Sequence, residues 1–290
     1  MSLTSADLSA DARADPPVDI PAIETLVAEG PALLALHADG VAHVQLNRPE
    51  AANGLDRTLL EALQAVLMRV HGDERVRAVL LTGAGRHFCA GGDVHTFLAQ
   101  GEALPGYIRQ ATAALENVVA LLMRMNPPVV AAVQGFAAGG GGLGLVCSCD
   151  FVIAAQSASF LAGATRVAMV PDAGVSVTLT QLVGLRQAMR LLMLNPTLTA
   201  AEALQIGLIT QVVPDEALHA EALALARQLA RGAPAALAAT KRLLWNGLGR
   251  TVDAAMPEEN RLQATLAATA DAREGLAAVI AKRAPRFTGR

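Results

Sequence analysis

Two glycine-rich segments carry the strongest chemical signal in this chain. The first is His87-Phe88-Cys89-Ala90-Gly91-Gly92-Asp93, and the second runs from Gly135 to Gly142 as GFAAGGGG. Each follows a short apolar run that reads as a buried strand, Val76 to Thr82 and Val129 to Val133. Glycine lets backbone N–H groups come close to a ligand. A helix opening at the second loop and ending near Cys149 adds unpaired N–H groups and the positive end of a helix dipole. Together, two such loops are suited to holding an oxygen on which negative charge develops. Each loop alone reads equally well as tight packing. A phosphate cradle fits poorly, because no Gly-Lys-Ser/Thr follows and the dinucleotide spacing with its downstream acid is missing.

Carboxylates are scarce around these loops. Between Val94 and Ala201 the sequence holds only Glu102, Glu116, Asp150 and Asp172. Glu102 reads as a solvated loop residue, and Asp150, between a helix and a strand, as a structural hydrogen-bond acceptor. Asp172 sits in the apolar turn Val170-Pro171-Asp172-Ala173-Gly174, where partial desolvation raises a carboxyl pKa toward a useful acid/base range. From position alone it serves equally well as the N-cap of the following helix. His37 and His43 share one face of a hairpin, and His87 and His95 flank the first loop. No His-Glu-x-x-His, serine elbow or spaced His/Asp cluster appears, so neither a metal site nor a serine hydrolase is expected. Cys89 reads as a small packed residue.

The elements that must position these groups follow from periodicity. Leu33 to Leu46 is a strand hairpin turning at Asp39-Gly40. Asp56 caps a helix whose Leu59, Leu60, Leu63, Val66, Leu67 and Val70 share a face. A helix covers about Tyr107 to Met125, and Phe151 to Ala155 is a third buried strand. Strand, loop, helix and strand in this order predict an α/β fold with crossover connections. Thr199 and Glu202 form a capping box, and Asp215 to Arg283 is nearly all Ala/Leu-rich helix. The expected organisation is a disordered extension over residues 1–30, a core over 31–214 and a C-terminal helical region over 215–290.

Composition bounds the function. The chain has 290 residues, 53% hydrophobic but only 3% aromatic, so the core must be built from Ala, Leu and Val. A net charge of -3 gives no basic field for nucleic acid or an acidic membrane surface. The uncharged stretch Met125 to Cys149 is interrupted by Pro127-Pro128 and glycines, which argues against a membrane span. Cys89, Cys147 and Cys149 fit neither a zinc site nor a disulfide framework, and a reducing, cytoplasmic compartment is expected.

In series, five motifs resemble the enoyl-CoA hydratase/isomerase (crotonase) superfamily. They are Leu46-Asn47-Arg48-Pro49 with Asn53-Gly54-Leu55, then VRAVLLTGAGRHFCAGGD from Val76, then AAVQGFAAGGGGLGL with CDFVIAA. LVGLRQAMRLLM with AAEALQIGLITQVV follows, and the ending is KRAPRFTGR. The resemblance spans about Leu33 to Arg290. It implies a superhelical β-β-α core and a C-terminal helical region that assembles trimers or hexamers. It implies an acyl-CoA thioester substrate, with coenzyme A part of the substrate and no separate cofactor. The thioester carbonyl would lie between the Gly92 N–H and that of Gly140 or Gly141. Ala52, Gly54, Ala90, Gly91, Asp93 and Val94 would line the substrate, and Lys282 and Phe287 would lie near the CoA nucleotide, in the same or a neighbouring subunit.

The same resemblance marks a departure. The two glutamates of family hydratases fall at Leu143 or Gly144 and at Ala164, none of them a carboxylate. Asp172 falls where isomerases of the family keep a functional aspartate, which points to an isomerase-type proton shift with Asp172 as acid/base and Glu116 as a helper. The alternatives are a hydratase with unfamiliar carboxylates and an acyl-CoA-binding relative without activity. A dehalogenase ranks lower, since its partner histidine matches Glu116.

Overall fold

The computed structural model describes residues 23–290. Ten strands and eleven α-helices follow one another as β1 (Ile23–Val27), β2 (Ala32–His37), β3 (Val41–Leu46), α1 (Arg57–Gly72), β4 (Ala78–Gly83), α2 (Val94–Ala99), α3 (Leu104–Arg124), β5 (Val129–Val133), β6 (Phe136–Ala138), α4 (Gly139–Ser148) and β7 (Phe151–Ala155). Then come β8 (Ser159–Leu161), α5 (Val175–Val183), α6 (Leu185–Leu194), β9 (Leu198–Thr199), α7 (Ala200–Gln205), β10 (Gln211–Val213), α8 (Leu218–Ala230), α9 (Pro234–Gly247), α10 (Val252–Ala267) and α11 (Ala270–Ile280).

A seven-stranded sheet runs β1-β2-β3-β4-β5-β7-β10, and a small second sheet runs β6-β8-β9. The hairpin β2–β3 is antiparallel, while β3, β4, β5, β7 and β10 are parallel neighbours joined by helical crossovers. Every position of β4 and β5 is buried, as strands covered on both faces require. The α1 stripe packs where its spacing predicts, and the Asp56 side chain accepts from the Leu59 N–H at 2.8 Å. The helix α3 stops at Met125 because Pro127-Pro128 cannot continue it. Thr199 and Glu202 do form a capping box on α7.

Two organisational expectations change. Residues 1–22 of the expected extension lie outside the described residues, but Ile23–Val27 is a strand that pairs with β2, so the sheet begins before residue 31. The boundary at residue 215 also cuts through the core. Leu218, Ala222, Ala226 and Ala230 recur every four residues and seat α8 against β4, β5 and β7. Small side chains at that stripe let the helix sit close to the sheet, which is how a core with so few aromatics still packs. Among the largest fully buried side chains only Phe88 and Phe160 are aromatic.

Candidate active site

The first glycine loop is threaded between two neighbours. On one side it is laced to a strap, Arg48 to Asp56, that links β3 to α1. The Ala90 N–H donates to Ala52 O at 3.0 Å, the Leu55 N–H to Gly91 O at 2.7 Å, and the Asp93 N–H to Leu55 O at 3.1 Å. On the other side Cys89 bridges to β6, through Cys89 N–H to Phe136 O and Ala138 N–H to Cys89 O. In the bridge Leu55–Gly92 the strap bonds the residues flanking Gly92, so the N–H of Gly92 itself faces away from the strap. Among the described residues nothing accepts from it.

The start of α4 packs against this loop. The cap residue Ala138 offers no side-chain bond, and Gly139, Gly140 and Gly141 are the first helical residues, whose N–H groups lack intrahelical acceptors. The two loops meet backbone against backbone. A methyl on Gly91, at φ 92°, would lie 2.5 Å from Ala138 O, and one on Gly139 would lie 3.6 Å from the Gly92 nitrogen. One free N–H and an uncapped helix N-terminus thus lie side by side, the kind of donors an oxyanion hole uses. The Phe97 ring lies over Gly92, with Tyr107 edge-on to it at 5.9 Å, and Leu55 and Leu115 lie beside Gly141.

Asp172 stands at the same point. Its Oδ1 is buried without a hydrogen-bond partner and presses on Gly140 so closely that any side chain there would collide with it. It does not cap the next helix, because Gly174 is the N-cap of α5 and no side chain bonds there. Burial pushes the Asp172 carboxyl above the usual carboxylate range, its own backbone N–H opposes this, and the negative charge of Glu116 adds to it. Glu116 is an exposed residue of α3, close enough for its charge to be felt at Asp172. The hydratase glutamate positions lie nearby without carboxylates. Ala164 follows Gly163, which packs on Gly139, Gly144 packs on Ala173, and Leu143 is core.

The remaining expected residues divide. Ala52, Gly54, Ala90, Gly91, Asp93 and Val94 surround the first loop and its strap, with Val94 exposed at the start of α2. Lys282 is exposed just after α11, and Phe287 does not reach the loops of its own chain. The Phe287 carbonyl accepts from the Arg77 guanidinium at 3.3 Å, just before β4, whereas the glycine loop leaves the other end of that strand. Cys89 is fully buried and its thiol is pushed up to about 12 by burial, which suits packing rather than nucleophilic attack. Among the described residues no group of His, Cys, Asp and Glu is placed to hold a metal, and no helix is long and apolar enough to cross a membrane.

Sequence reasoning passed over two residues as site components. The side chain of Asn53, fully buried, accepts from the Arg48 N–H and donates to Ala84 O and His87 O. The Arg48 guanidinium joins Gly54 O, Asp93 and Asp56. The only sequence signal for either is the motif that contains them both.

Residues 37–290 match the family described as enoyl-CoA hydratase/isomerase. The chain belongs to this family. It is 40% identical over 253 residues to a "Probable enoyl-CoA hydratase" of Rhodobacter capsulatus, covering 87% of this chain and 96% of that protein. It is 36% identical over 252 residues to the 1,2-epoxyphenylacetyl-CoA isomerase of Escherichia coli, with the same coverage of 87% and 96%. The crystal structure of an enoyl-CoA hydratase from Bacillus anthracis superposes with a TM-score of 0.83 at 32% identity, over 92% of this chain and 99% of that one. The crotonase fold and an acyl-CoA thioester chemistry are therefore this protein's own. The two relatives carry different reactions in their names.

Proposed function

We propose that this enzyme is an acyl-CoA isomerase whose oxyanion hole stabilises a thioester enolate while Asp172 moves the proton. The observation that supports this most directly is the buried, unpartnered Oδ1 of Asp172 set against Gly140, at the uncapped start of α4 beside the first glycine loop. The donors at that point are the Gly92 N–H and that of Gly140 or Gly141. When the carbon next to the thioester carbonyl loses its proton, negative charge moves onto the carbonyl oxygen, and these donors meet it there. Asp172, as carboxylate, takes the proton from that carbon and returns it to another carbon of the same conjugated system. A proton shift needs one base that reaches two carbons. Hydration must also hold and deprotonate a water, for which family hydratases use two glutamates. Glu116 acts as a helper by keeping the Asp172 proton affinity high.

Hydration of a 2-enoyl thioester is the second reading, favoured by the name of the Rhodobacter relative. The two are separated by presenting 2-enoyl-, 3-enoyl-, epoxidised phenylacetyl- and halobenzoyl-CoA in turn. Isomerisation or ring opening is expected, with hydration weak or absent. Asp172→Asn keeps the shape but cannot accept a proton, so turnover should fall by about 10²–10⁴, with thioester binding retained. Vigorous hydration by the native enzyme, or full isomerase activity in Asp172→Asn, would overturn the reading.

A further inference from the structure

We infer that Arg48 is a positioning residue for the oxyanion hole, its guanidinium setting the direction of the Gly92 N–H through Asp93 and Gly54. The inference rests on the oxyanion-hole reading above. Gly91 and Gly92 have no side chains to restrict their peptides, so the direction of the Gly92 N–H has to be imposed from outside. The ladder from the strap fixes how far apart the two segments lie. With the Cys89 bridge to β6 it holds the loop as far as Gly91, but past Gly92 the backbone has one tie to the strap, from the Asp93 N–H to Leu55 O, about which the Gly92 peptide keeps its freedom to turn.

Arg48 closes that freedom. One of its terminal nitrogens donates to Gly54 O at 2.6 Å and lies 3.2 Å from Asp56 Oδ2. The other donates to Asp93 Oδ2 at 3.2 Å. A single planar fork therefore joins the residue before Leu55, the residue after Gly92 and the cap of α1. Each attachment is itself anchored. The other oxygen of Asp93 accepts from the Thr96 N–H at 3.1 Å, and Asp56 accepts from Leu59. The backbone of Arg48 is held by Asn53, which accepts from its N–H at 2.9 Å. Rolling the Gly92 peptide would pull Asp93 away from the fork. Lysine can reach one of these oxygens but cannot join all three, because an ammonium lacks the rigid spread of a guanidinium. Arg48 bonds neither Gly92 nor the glycines that open α4; its guanidinium reaches that point only through Gly54 and Asp93, two of the residues expected along the substrate.

The test uses the full-length enzyme and cinnamoyl-CoA, whose absorbance moves to longer wavelength when hydrogen bonds draw electron density onto its carbonyl. Native enzyme should show this red shift. Arg48→Gln should lose much of it and lower kcat by about 10- to 100-fold, the scale of a small misplacement of a catalytic group. KM should change little, and Arg48→Lys should fall between. Should Arg48→Gln fail to fold, Asp93→Asn keeps the α2 cap while removing the partner charge, and the same kcat loss and spectral change are expected. Native kcat and native band position in the folded variants would overturn the inference, as would a loss confined to KM or to thermal stability. Absence of a red shift in the native enzyme would remove the oxyanion hole itself, and the role of Arg48 with it.

Discussion

Once ionised, the Asp172 carboxylate is a charge the fold has to tolerate. Its pKa is raised by burial and by Glu116, so the folded chain holds this proton more tightly than the unfolded chain does. Below the ordinary carboxylate pKa, about 4, the group is neutral in both states and costs nothing. As the pH rises past that value the unfolded chain ionises first, and stability declines until the folded carboxyl has ionised too. Asp172→Asn removes this term. The variant should melt at a higher temperature than native enzyme at pH 7, with the gap closing toward acid pH. Thermal melts across pH check it, and an equal gap at all pH values would contradict it. The same shift predicts that kcat/KM climbs through an apparent pKa above the ordinary carboxylate range, a limb that Asp172→Asn should lack. The sequence showed this carboxyl to be desolvated because its neighbours in the turn are apolar. It did not separate a base from a helix cap, because that depends on the direction of the next helix. Arg48 was less legible still. Its partner Asp93 is 45 residues away, and nothing local signals the pairing.

At the scale of elements, periodicity located the long pieces and lost the short ones. The strands β5 and β7 and the α1 stripe fall where apolar spacing puts them. By contrast, β6, β8, β9 and β10 have three residues or fewer, too short for an alternating pattern to register. The edge strand β1 went unread because its sequence, Ile-Glu-Thr-Leu-Val, mixes polar and apolar residues beside an acidic segment. One staple between elements was half read. Asp150 was expected to be structural, and it accepts from the Val129 N–H at 2.7 Å and the Trp245 indole at 2.9 Å. Its ionic partner is Lys241 on α9, at 2.7 Å, which also donates to Leu122 O and Pro127 O. This ties α9 to the turn that launches β5. Lys241→Ala leaves the mostly covered Asp150 carboxylate without its counter-charge, and a loss of about 3–5 kcal/mol is expected in denaturant unfolding. A loss under about 1 kcal/mol would mean that the pair is screened like a surface one.

The whole molecule leaves apolar side chains uncovered on its helical side. Val177 on α5 and Leu185, Met189, Met193 and Leu194 on α6 are each half exposed or more, and so are Leu276, Val279 and Ile280 toward the C-terminus. Apolar side chains exposed at helical spacing, as Leu185, Met189 and Met193 are along α6, mark a contact face. We expect trimers or pairs of trimers, and sedimentation at micromolar concentration should show them. A monomer under those conditions would leave the faces unexplained and would also remove the route by which Lys282 and Phe287 could serve a neighbouring subunit's site. Lysine itself is rare here. The sequence contains only Lys241 and Lys282, and the first is 6% exposed with its ammonium shared among three acceptors. Arginine carries nearly all the remaining positive charge. Acyl thioesters transfer their acyl groups to free amines, so an enzyme that binds them risks decorating itself. With Lys241 buried, Lys282 is the one side-chain amine left on the surface for such damage to reach.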